Sequence, residues 1–112
     1  MQLSDIVLQG EAKYASHIAI LFRDQSITYT ALAEGVRTFA KTLCELGIKP
    51  GDRVGLLLPN CPQSVCAYYA VALMGGVVVP SNPLLKPAEL EYIWNDAEVR
   101  LVVTIQIGRA HV

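Results

Sequence analysis

The stretch from Arg53 to Pro80, RVGLLLPNCPQSVCAYYAVALMGGVVVP, limits the fold more than any other part of the chain. It opens with a strand, Arg53 to Leu58, that is apolar on both faces instead of alternating. A strand reads this way when both faces are covered, as in a parallel sheet flanked by helices. The next segment, Pro62 to Met74, is predicted to be a helix and is apolar nearly all round, including Val65, Ala67, Tyr68, Tyr69, Ala70, Val71 and Leu73. Such a helix needs burial on several sides. Asn60 is the expected N-cap, Pro62 stands early in the helix, where its missing N–H costs nothing, and Gly75 and Gly76 end it. VVVP is then a second buried strand. Strand, helix and strand in this order form a right-handed crossover between parallel neighbours.

The flanking segments fit the same plan. Leu3 to Tyr14 is predicted to be a first helix, with Leu3, Ile6, Val7 and Tyr14 near one face and Ser4 or Asp5 as its cap. Gly10 is an unfavourable residue within it. Ile18 to Phe22 and Ser26 to Tyr29 read as a hairpin turned at Arg23-Asp24-Gln25. Thr30 opens an amphipathic helix with its stripe at Leu32, Val36, Phe39, Ala40, Leu43 and Leu46. Glu34, Arg37, Lys41 and Glu45 lie largely on the other side, and Gly47 is the expected left-handed residue past its end. Downstream, SNPLLKPAEL leads into a helix from Pro87 to Asn95 with Leu90, Ile93 and Trp94 facing inward, and VRLVVT is one more strand. The expected fold class is α/β: an N-terminal hairpin and helix, then a mostly parallel sheet with flanking helices.

Composition narrows the function classes. With 53% hydrophobic and 17% charged residues the chain is globular, since disorder needs the opposite balance. Net charge is −1 and the nine basic residues are scattered, so the footprint of a nucleic-acid binder is absent. Val65 to Pro80 is too short and too interrupted to span a bilayer, and the first residues lack a basic start with an apolar run. A cytoplasmic protein is expected. Cys61 and Cys66 stand five apart with no histidine near them, which is not zinc-ligand spacing. Together with Cys44 they are expected to fill core space.

No catalytic constellation is visible. His17 precedes a strand, His111 lies in the final residues, and Ser64 and Ser81 have no evident base partner. Neither of the glycine-rich phosphate-loop patterns occurs. Gly75 and Gly76 follow a helix C-terminus, the negative end of its dipole, and are expected to serve a tight turn. Asp52 reads as the end of a turn, Arg53 as a strand edge, and Tyr68 and Tyr69 as packing residues. No residue is assigned a catalytic, cofactor-binding or metal-binding role.

Several stretches resemble one family, the adenylate-forming (AMP-binding) enzymes, which include acyl-CoA synthetases, peptide-synthetase adenylation domains and luciferases. ITYTALAE, Ile27 to Glu34, resembles the family's first core motif, a tyrosine-bearing strand running into a helix. VALMGGVVVPSNP, Val71 to Pro83, resembles the second, with Gly75 and Pro80 at the family's spacing; Ala72 stands where the pattern has leucine, and Leu73 follows one residue late. GIKPGDRVGLLLPN resembles the link between the two, and NPLLKPAELEYIWNDAEVRLVV is most similar to fatty acyl-CoA synthetases. The likeness runs from Leu3 to Thr104.

The resemblance implies part of a large N-terminal AMP-binding domain, residues 1–105. It implies a two-step ligase in which a carboxylate attacks the α-phosphate of ATP, with Mg2+ offsetting charge, and coenzyme A then displaces AMP to form a thioester. The family's phosphate loop, adenine contacts and catalytic lysine come later in the chain. Lys13, Lys41, Lys49 and Lys86 match none of its motifs. The expectation is a truncated acyl-CoA synthetase, inactive alone, that needs the rest of its domain to cover apolar surface. The alternatives are a free-standing α/β binding or interaction module and, within the superfamily, an aryl-CoA ligase or peptide-synthetase adenylation domain. One back-translation of IGRAHV resembles a sequencing-library adapter, so residues 106–112 are expected to be a non-native tail.

Overall fold

A computed structural model describes residues 5–104. The expectations for Leu3, Ser4, His111 and the 106–112 tail lie outside the described residues. The elements run α1 (Asp5–Tyr14), β1 (Ile18–Phe22), β2 (Gln25–Thr28), α2 (Tyr29–Glu45), β3 (Arg53–Leu57), α3 (Pro62–Leu73), β4 (Val77–Pro80), α4 (Pro87–Asp96) and β5 (Val99–Thr104). β1 and β2 form an antiparallel hairpin, and β4-β3-β5 form a parallel sheet with β3 in the centre.

The strand order fixes where the helices go. The chain steps from β3 to β4 on one side, then returns across β3 to β5. Two right-handed crossovers in opposite directions put their helices on opposite faces. The residues of β3 show this directly. Val54 and Leu56 point into the main core with Ala67, Ala70 and Val71 of α3 and Leu32, Val36 and Leu43 of α2. Gly55, between them, points the other way, and Trp94 of α4 lies where its side chain would stand. Val54, Gly55 and Leu56 are all buried, as the two-sided apolar pattern of β3 predicts. Within α3 the exposed residues are Gln63 and Tyr68, in keeping with its all-round hydrophobicity.

Several details differ from the sequence reading. VVVP is not a buried strand: β4 stands at the edge of the sheet, with Val77 and Pro80 exposed and Val78 and Val79 half-buried. The inner face of α1 is Val7 and Gly10, whereas Ile6 and Tyr14 are about half exposed. The Tyr29 ring packs where a side chain at position 10 would stand, so Gly10 lets α1 approach α2 closely instead of weakening the helix. An Arg37–Glu11 ion pair closes the same interface. The second strand ends at Thr28, because its hydroxyl accepts the Ala31 N–H and caps α2, which begins at Tyr29. Leu46 falls past the last turn of α2 and is 62% exposed. The N-cap of α3 is Cys61, not Asn60, and its side chain makes no capping bond.

Helix ends follow backbone geometry. Gly47 takes φ 94° after α2, and the N–H groups of Gly47 and Ile48 bond back to Cys44 and Leu43. Gly75 and Gly76 do the same after α3, bonding to Ala72 and Val71. This is the Schellman arrangement, which satisfies the last carbonyls of a helix. At the end of α4 the left-handed position falls to Glu98, at φ 55°. A side chain there costs about 1–2 kcal/mol relative to the right-handed region. Glu98→Gly is therefore expected to stabilise the chain by about 1 kcal/mol, read as a higher midpoint in urea by pulse proteolysis.

Candidate functional site

In an open α/β sheet, ligands bind beyond the carboxyl ends of the strands, where adjacent connections leave to opposite faces. Here β3 departs to α3 on one face and β4 departs towards α4 on the other, so the crevice falls between their carboxyl ends. A cleft of about 610 Å³ occupies that position. One wall is the β3–α3 turn, Leu58-Pro59-Asn60, continued by Ser64 and Tyr68, one helical turn apart on α3. The other wall is the loop after β4, Ser81-Asn82-Pro83-Leu84.

That loop is held from within. Ser81 is buried; its N–H donates to the Leu56 carbonyl (2.9 Å), and its hydroxyl accepts from Trp94 Nε1 (2.9 Å) and donates to the Val79 carbonyl (3.3 Å). Asn82 Oδ1 accepts the Leu84 N–H at 2.9 Å. At the start of α4, Glu89 accepts the Lys86 N–H at 2.9 Å, closing the helix end that follows. Trp94 thus ties the helix on the far face of the sheet to the cleft wall. Ser81→Ala removes the acceptor and leaves a half-buried indole N–H unpaired, which costs about 1 kcal/mol, the low end for an unsatisfied donor. The expected result is a destabilisation of that size, with a shifted emission maximum for Trp94, the single tryptophan of the chain; Trp94→Phe, which removes the donor, should cost less.

Every residue lining the cleft is uncharged. It offers hydroxyl, amide and apolar surface but no cation to meet a phosphate. Among the described residues no group of three His, Cys, Asp or Glu side chains comes together to hold a metal ion. These residues by themselves do not fit ATP phosphates or Mg2+, and no chemical step can be built on them.

The remaining candidates are placed as follows. Ser64 and Tyr68 line the cleft; Tyr69 packs against the core and meets Tyr68 edge to face at 5.8 Å. Ser81 supports the cleft wall. His17 is exposed and stacked on Tyr14. Asp52 closes the turn before β3 by accepting the Lys49 N–H, and Arg100 of β5 lies 3.8 Å from it. Arg53 is exposed at the strand edge. Of the cysteines, Cys66 packs against the core as expected, whereas Cys44 is exposed and Cys61 is half-buried ahead of α3. Cys66 borders an apolar cavity of about 310 Å³ with Phe39, Ala67 and Val103. Burial pushes its thiol pKa up, which keeps it protonated and a poor nucleophile at neutral pH. The cleft itself was hidden in the sequence, because its walls are two loops separated by a whole helix.

Residues 8–112 match the family described as AMP-binding enzyme. The chain is 38% identical over 106 residues to a long-chain-fatty-acid–CoA ligase of Bacillus subtilis, covering 94% of this chain and 19% of that protein. Among solved structures, the N-terminal subdomain of Klebsiella oxytoca NpsA, in complex with 3-hydroxyanthranilyl-AMSN, superposes with a TM-score of 0.88 at 23% identity, over 95% of this chain and 27% of that one. The anthranilate CoA ligase AuaEII, in complex with anthranoyl-AMP, gives a TM-score of 0.88 at 27% identity, over 93% of this chain and 20% of that one. The chain thus spans about a fifth of the length of the ligase it matches. With the sheet order, the two core motifs and the family match in agreement, the chain belongs to the AMP-binding enzymes.

Proposed function

We propose that this chain is one part of the AMP-binding domain of a fatty acyl-CoA synthetase. The whole protein would join a fatty acid to ATP as an acyl-adenylate, releasing pyrophosphate, and then transfer the acyl group to coenzyme A. The observation that carries this reading is the 38% identity to the Bacillus subtilis ligase across nearly the whole chain. ATP, Mg2+ and coenzyme A would be the co-reactants, in a cytoplasmic setting and within fatty acid metabolism. The role of the present residues is to supply a rigid wall, β3, β4 and α3, against which the rest of the domain packs. They are inactive by themselves on this reading, because the cleft has no charged group to meet a triphosphate.

A second reading within the family is favoured by one observation. AuaEII, an anthranilate CoA ligase, shares 27% identity and the same fold, so an aryl carboxylate is the alternative substrate. Carboxylate-dependent ATP–pyrophosphate exchange by the longest reading frame carrying this chain separates the two. Exchange is expected with long-chain fatty acids and not with anthranilate or amino acids. Exchange with the aromatic acid alone would replace the fatty acid reading.

A further inference from the structure

We draw no further inference here: the strongest candidate, the groove on the outer face of α4 lined by Leu85, Ala88, Tyr92 and Ile93, is an unpartnered apolar face, and nothing in the structure shows what covers it.

Discussion

Replacing Leu43 by alanine is expected to cost about 2–5 kcal/mol, the range for deleting a fully buried leucine side chain. Leu43 has 0% of its surface exposed and is among the largest fully buried side chains of the described residues. It sits in the last turns of α2, in the same cluster as Val54 of β3 and Val71 of α3. Its carbonyl also accepts the Ile48 N–H that closes the helix. Truncation removes the transfer free energy of the lost methine and its two methyl groups. It also leaves a cavity between two helices and a central strand that cannot all move inward together. Leu46→Ala is the matched control. Leu46 continues the same apolar stripe in the sequence but stands largely in solvent, so its loss should stay within about 0.5 kcal/mol. Pulse proteolysis in urea at low protein concentration measures both. Equal effects would mean that α2 does not pack as described.

The second large effect is expected at the turn between α3 and β4. Gly75 has φ 85°, and a Cβ built on it would lie 3.2 Å from Pro50 Cβ. The Gly75 carbonyl also accepts the Gly51 N–H at 2.8 Å, which joins this turn to the one that starts β3. Gly75→Val meets two penalties. The left-handed backbone costs about 1–2 kcal/mol for a residue with a Cβ, and crowding against the exposed Pro50 adds about 1 kcal/mol, the low end for overpacking. The sum is about 2–3 kcal/mol. Gly47→Val separates the two terms. Gly47 has a similar φ of 94°, but nothing lies within 4 Å of its missing Cβ. It should therefore show only the backbone term. A Gly47 variant as damaged as the Gly75 variant would show that the contact with Pro50 contributes nothing.

Much of this fold was legible because hydrophobic pattern and burial coincide in its centre. β3 is apolar on both faces and is covered on both; α3 is apolar all round, and of its residues only Gln63 and Tyr68 are exposed. The pattern fails where packing depends on something absent from a side chain. Gly10 reads as a weak point in the first helix, yet its missing side chain makes the space that the Tyr29 ring fills. Leu46 fits the stripe of α2 by spacing, but the helix ends before it can point inward. Cys44 looks like a core residue by type, but it falls on the exposed side of α2, while Cys66 does pack against the core.

The site was harder to read than the fold. Its walls are brought together by the reversal of strand order, which no local window contains. The Trp94–Ser81 bond links residues thirteen apart across the sheet, and neither residue carries a motif of its own. What the sequence did show was that neither glycine-rich phosphate-loop pattern is present and that no histidine stands near Cys61 and Cys66. The family resemblance, by contrast, was read from ITYTALAE and VALMGGVVVPSNP. Both turn out to be frame elements, β2 running into α2 and α3 running into β4.

On the proposed reading, these residues build one wall of an adenylate-forming domain whose chemistry needs chain beyond them. ATP–pyrophosphate exchange, run in parallel on the 112-residue chain and on the longest reading frame that contains it, is the decisive experiment. The expected result is fatty-acid-dependent exchange from the longer protein and none above background from the chain by itself. Clear carboxylate-dependent exchange from the chain alone, or none from the longer protein with any carboxylate, would contradict it.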